Sequence, residues 1–172
     1  YIDEFWHNEG GKTFVKKGAE FGLIEPDGKA RAARGVAPCD FDNDGDVDIY
    51  VSNYRLADNF LFENNGPSAT PQFVNTAEKH GIAGTNVSGY YGHTTGSAWG
   101  DYDNDGDFDL ITANIAHPRY IDFNNRTMLY ENLGAPDFRF RDRRADAGIV
   151  FEETQSDAGF ADFDGDGWLD IY

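Results

Sequence analysis

The pattern Asp-x-Asp-x-Asp-Gly-x-x-Asp occurs three times in the chain: Asp40, Asp42, Asp44, Gly45, Asp48; Asp101, Asp103, Asp105, Gly106, Asp109; and Asp162, Asp164, Asp166, Gly167, Asp170. Alternate positions of a curling loop face inward, so the carboxylates at positions 1, 3 and 5 converge. Glycine at position 6 permits the positive φ that turns the chain sharply. The main-chain carbonyl of position 7 (Asp46, Asp107, Trp168) can then face the same point, and the Asp at position 9 closes the cage. Hard oxygen donors in a flexible loop suit Ca²⁺, with Mg²⁺ second because it demands a stricter octahedron. The loops contain no Cys or His, which removes zinc and copper. An EF-hand needs a bidentate Glu at position 12 and flanking helices. Here position 12 is Val51 or Thr112, inside strand-like sequence.

Electrostatics supports the same reading. Carboxylates 4–5 Å apart repel by roughly 3–4 kcal/mol per pair at an effective dielectric near 20, so an ion-free cage opens or takes up protons. We expect about three Ca²⁺, one per loop.

Other reactive side chains are less organised. Cys39 occupies a slot filled by Gly100 and Ala161 in the sister copies and reads as a small buried thiol. His93 and His117 lie in irregular segments, where surface or core-polar roles are expected ahead of catalytic or ligand-binding ones. Tyr90, Tyr91, His117, Arg119 and Tyr120 form an aromatic and basic set suited to sugar stacking or protein contact. Asn86 and Asn125 begin glycosylation sequons. Nearly all paired carboxylates are accounted for as metal ligands. A polysaccharide lyase or hydrolase on the same scaffold is therefore the alternative rather than the leading reading, and no catalytic residue is assigned.

The loops sit in repeats. Asp40, Asp101 and Asp162 are spaced by 61 residues, as are Asp48, Asp109 and Asp170. An aromatic-x-Asn signature recurs as Trp6-His7-Asn8, Phe62-Glu63-Asn64 and Tyr130-Glu131-Asn132. A Phe precedes a Gly-aliphatic pair by eight residues at Phe14, Phe73 and Phe140. Small residues before each loop, β-branched and aromatic runs after it, and turn signals at Asn65-Gly66 and Leu133-Gly134 predict four short strands per copy. No window sustains helical periodicity over three turns. The expected fold is all-β, with four-stranded antiparallel propeller blades, about 2.8 of them present, and a Ca²⁺ loop in each repeat. The expected divisions are 1–34 (C-terminal half of a first blade), 35–95 (second), 96–156 (third) and 157–172 (N-terminal half of a fourth). Copies differ in length between Ile115 and Arg126, and insertions of this kind map to one face.

Composition bounds the function. Among 172 residues, 14 Lys+Arg face 31 Asp+Glu, for a net charge of −17, which excludes nucleic-acid recognition and disfavours anionic membranes. Apolar runs are too short for a membrane span. Aromatics at 15% argue against disorder. One cysteine makes no internal disulfide. A start at Tyr1, with fewer blades than closure requires, predicts a fragment of a longer chain. The alternative is head-to-tail self-association, in which Tyr1–Asn8 completes a neighbour's blade ending at Tyr172.

With these motifs in place, above all Gly96-Ser97-Ala98-Trp99-Gly100-Asp101-Tyr102-Asp103-Asn104-Asp105-Gly106-Asp107 and Met128-Leu129-Tyr130-Glu131-Asn132, the chain resembles the FG-GAP/VCBS repeat family of calcium-loaded β-propellers. It looks most similar to the secreted branch associated with ASPIC/UnbV segments. The resemblance implies an extracellular or cell-surface location and a role in binding, adhesion or assembly, with a protein or carbohydrate ligand on the loop face.

Overall fold

A computed structural model describes residues 4–25, 27–66, 71–116, 119, 125–149 and 155–172. Within them the regular secondary structure is almost wholly antiparallel β. Its strands are β1 (Trp6–Glu9), β2 (Thr13–Lys16), β3 (Ala32–Cys39), β4 (Asp48–Tyr54), β5 (Phe60–Asn64) and β6 (Phe73–Asn75), then β7 (Thr94–Gly100), β8 (Asp109–Asn114), β9 (Met128–Asn132), β10 (Phe140–Asp142), β11 (Phe160–Ala161) and β12 (Asp170–Ile171). Strands β3 to β6 form one four-stranded meander and β7 to β10 a second, flanked by the hairpins β1–β2 and β11–β12. Among the described residues no ladder links β11–β12 to β1–β2.

The two meanders repeat each other down to an irregularity. The β3–β4 register shifts between Ala33 and Gly35, and the β7–β8 register shifts between Thr94 and Gly96. At Gly35 a Cβ would stand 3.2 Å from Thr95 O and 3.3 Å from Gly96 Cα. A Cβ there would be tighter than most real contacts, so glycine eases the close approach of β3 to β7.

Inner strands are covered on both sides. Every residue of β8 is buried, which explains its lack of polar–apolar alternation. Tyr50, Leu61 and Ala37 from the first meander pack with Leu110, Met128 and Tyr130 of the second around Phe41. On the other face, Val51, Phe60, Phe62 and Phe73 pack with Phe21 and Phe5 beside the β1–β2 hairpin. Burial of each such side chain stabilises by about 1.5–3 kcal/mol. Polar ties fix the sheets against one another: Tyr50 Oη donates to Ile82 O at 2.9 Å, Trp99 Nε1 to Ala37 O at 3.0 Å, and Ser52 Oγ to Ser97 Oγ at 3.0 Å.

One element departs from the strand reading. Ala77–His80 is a single helical turn, α1, closed by Gly81 at φ 86°. Its four residues are too few to leave a periodic signal, but Gly after His80 supplies a left-handed cap.

Candidate metal centres

Each Asp loop joins the first two strands of its sheet, and its own carboxylates hold it in shape. In the first, Asp40 accepts from the Asp44 and Gly45 N–H groups, both at 3.0 Å, and Asp44 Oδ1 accepts from Asp46 N–H at 2.8 Å. The second repeats this through Asp101 to Asp105 and Gly106, and Asp105 to Asp107. The third does so through Asp162 to Asp166 and Gly167, and Asp166 to Trp168. Position 6 is left-handed in all three, with Gly45, Gly106 and Gly167 at φ 95°, 99° and 92°. Position 4 is left-handed as well, at Asn43 (57°), Asn104 (59°) and Gly165 (78°), and Asn tolerates that region better than most residues.

This folding gathers three carboxylates per loop. Asp40, Asp42 and Asp48 offer oxygens all within 4.8 Å of one another, as do Asp101, Asp103 and Asp109, and Asp162, Asp164 and Asp170. Asp44, Asp105 and Asp166 lie outside these triplets and cap the following N–H groups. The first two triplets are sheltered and the third is exposed. Asp48 and Asp109 are only 2% and 0% exposed. Burial pushes each carboxyl up to about 7, against the opposing backbone donors of Asn64 and Phe41, or Asn132 and Tyr102, with neighbouring acids adding to the rise. Asp42 and Asp103 are raised too, by burial first and by Asp44 or Asp105 next.

Two orphaned atoms test whether a cation fits. Asp42 Oδ1 and Asp103 Oδ1 are buried without a hydrogen-bond partner. A buried acceptor left this way costs about 1–3 kcal/mol, and more when charged. With two other carboxylates in reach, a cation satisfies it and a further acceptor does not. The residues present fit a hard divalent ion held by oxygen.

The structure also assigns roles that spacing alone left blank. Asn64 N–H donates to Asp48 Oδ1 and Asn132 N–H to Asp109 Oδ1, both at 2.8 Å, so the aromatic-x-Asn signature pins the last cage carboxylate. Asn132 Nδ2 also donates to Phe41 O at 3.1 Å, in the neighbouring sheet's loop. Adjacent loops are tied directly: Asn43 Nδ2 donates to Asp107 Oδ1 at 3.3 Å, and Asn104 Nδ2 to Gly167 O at 3.2 Å. Recurrence of Asn at these offsets was the available signal. Glu63, whose charge bears on Asp42, is itself engaged by His80. His80 Nδ1 faces Phe138 O at 2.7 Å and Nε2 faces Glu63 Oε2 at 3.2 Å. Burial acts to raise Glu63, but the bonds from His80 and Thr76 and the Lys79 charge hold it below the usual range.

The remaining candidates separate. Cys39 is half-buried and its thiol is pushed up to about 12, by burial first and then by Asp48 and Asp40, which leaves no thiolate for chemistry. His93 packs against Tyr54 with ring centroids 4.6 Å apart and planes tilted by 43°, and burial lowers its pKa. Asn125 is buried, with its amide paired to both the N–H and the carbonyl of Thr85. Asn86 is exposed. His117 and Tyr120 lie outside the described residues. Tyr90 and Tyr91 lie together beside a cleft lined by Arg31 and Arg55.

Residues 40–112 match a family profile described as an FG-GAP-like repeat. Cartilage acidic protein 1 of Mus musculus is 30% identical over 181 aligned residues, spanning 96% of this chain and 24% of that protein. The Homo sapiens protein of the same name is 30% identical over 177 residues, spanning 96% and 23%. The chain thus spans about a quarter of the length of these curated relatives.

Proposed function

The chain carries FG-GAP-like repeat sequence over residues 40–112, and on that premise we propose that it is a calcium-binding β-propeller segment serving extracellular binding, adhesion or assembly. The observation that carries this reading is the pair of buried, partnerless oxygens on Asp42 and Asp103 inside crowded carboxylate triplets. Residues 35–95 and 96–156 are read as successive blades, with 1–34 and 157–172 as parts of the flanking ones. Calcium takes Asp40, Asp42, Asp44 and Asp48 with the Asp46 carbonyl, and the corresponding residues of the other two loops.

Use of calcium and the repeat type both support extracellular placement. Modules working outside the cell function with dissociation constants near 10⁻⁴–10⁻³ M, within the reach of short Asp loops. A protein or carbohydrate ligand is placed on a loop face. A further strand pair docking on the outer edge of β12, from another copy in head-to-tail fashion, would bring the third cage the donor that Asn64 and Asn132 bring to the first two.

Calorimetric titration of chelator-treated protein with CaCl₂, alongside thermal melts, tests the proposal. At a calcium concentration a hundredfold above the dissociation constant, each site adds about 2.7 kcal/mol. That corresponds to a rise of roughly 5–10 °C per site for a chain of this size. No calcium uptake and an unchanged melting temperature would refute it.

A further inference from the structure

The end of the first meander away from the Asp loops gathers three arginines, Arg31, Arg34 and Arg55, beside Asp27 and Asp58. In the β3–β4 ladder Cys39 pairs with Asp48 at the loop end and Ala32 pairs with Tyr54 at the other. At about 3.3 Å per residue the two ends stand roughly 20–25 Å apart. At the Tyr54 end two adjoining clefts of about 510 and 500 Å³ share Arg31 and Arg55. Arg34 and Tyr54 line the first, and Tyr90 and Tyr91 the second. Both volumes fall in the range of small-ligand sites, about 300–1,000 Å³.

The arginines are not equivalent. Arg31 is consumed within the fold, paired with Asp27 at 3.1 Å and Asp58 at 2.9 Å, and lies over the Phe60 ring. Arg34 lies over the Tyr54 ring at 5.2 Å. Neither Arg34 nor Arg55 has a carboxylate in ion-pair range among the described residues, although acids outnumber bases by more than two to one in the chain. Arg55 is also held in an unfavourable conformation. It and Leu56 have φ of 63° and 60°, costing about 1–2 kcal/mol each for residues with a Cβ. The turn persists because Arg55 N–H donates to His93 Nδ1 at 3.2 Å and Tyr91 N–H donates to Leu56 O at 3.0 Å. A strained turn, braced by the segment leading into the next sheet and presenting a guanidinium with no carboxylate partner among the described residues, is the kind of backbone outlier from which a binding role is inferred.

We propose that this rim binds an acidic saccharide, with Arg34 and Arg55 taking the carboxylate or sulfate of a sugar unit and Tyr54, Tyr90 and Tyr91 supplying the surface for its ring. Guanidinium forks match planar and tetrahedral oxyanions, and tyrosines offer an apolar face with a polar tip. The inference rests on the reading of the chain as an extracellular binding module and specifies its ligand. Calcium in the distant loops is beyond two Debye lengths at physiological salt, so it supports this site through folding and not through its field.

The test titrates the 172-residue chain, in calcium-containing buffer, with a glucuronate-bearing, a sulfated and a neutral tetrasaccharide, and with an acidic peptide of matched charge. Saturable binding of one or both acidic saccharides, with none for the neutral one, is expected, and which of them binds identifies the anion. Loss of either arginine should weaken binding about tenfold, as expected for a charge-assisted pair. Suitable variants are Arg34→Gln and Arg55→Asn, since Asn tolerates the left-handed turn. Both are read only with calcium stoichiometry unchanged and melting temperature not lowered, and the exposed Arg34→Gln serves alone if Arg55→Asn unfolds. Equal binding of the neutral sugar, unaltered binding by the folded variants, or no binding at all overturns the site. Equal binding of the peptide overturns the saccharide assignment. Calcium uptake measured on the same samples separates this outcome from failure of the metal reading.

Discussion

Asp109→Asn should change the sign of its effect on stability with calcium. The Asp109 side chain is fully buried, with Oδ1 accepting from Asn132 and Oδ2 from Tyr102. Its carboxyl is pushed from 3.8 up to about 7, by burial first. A folded-state pKa above the unfolded one means that the metal-free native chain holds the proton more tightly. The corresponding stability is complete below about pH 4 and is lost as pH rises through about 7. A shift of this size has a ceiling near 4 kcal/mol at 1.36 kcal/mol per pKa unit, and screening at the loop mouth reduces it to about 2 kcal/mol. In chelator at pH 8, Asn removes that charge but loses one backbone acceptor, a cost of about 1 kcal/mol. The metal-free variant should therefore melt higher than the native chain, by roughly 2–4 °C. With calcium in hundredfold excess the native site gains about 2.7 kcal/mol that the variant forgoes, so the variant should melt lower by roughly 3–8 °C. Scanning calorimetry of both proteins in EDTA and in CaCl₂ reads the two differences directly. Destabilisation of the same size in both buffers would refute the reasoning, because Asp109 would then be a structural acceptor rather than a charge awaiting an ion.

Three further outcomes follow from neighbouring geometry. Gly106→Ala places a methyl in open space at φ 99°; the cost is therefore backbone alone, about 1–2 kcal/mol, and calorimetry should show one weakened calcium site of three. Trp168, at position 7 of the third loop, should sensitise terbium emission, and Trp168→Phe should abolish that component while leaving any Tyr102-sensitised signal. His80→Gln cannot keep both ring contacts, to Phe138 O and to Glu63, in this buried position; a loss of about 1–3 kcal/mol should appear in denaturant melts with calcium present.

The cages and the repeat were legible in the chain itself, because their information is local. Carboxylates at alternate positions followed by a glycine specify a curled loop with converging oxygens, and copies 61 residues apart announce the same unit again. The strands around Ile49-Tyr50-Val51 and Met128-Leu129-Tyr130 were readable for the same reason. Helix α1 escaped because one turn has no period to detect. What the sequence left open depends on distance along the chain. Asp48 is held by Asn64, 16 residues on, and Asp109 by Asn132, 23 residues on. Arg55 is braced by His93, 38 residues on. Alternation and glycine placement set dihedral angles and facing, whereas burial, the raised pKa of Asp48 and Asp109, and the absence of a carboxylate partner for Arg34 and Arg55 among the described residues exist only once remote strands have packed and excluded water.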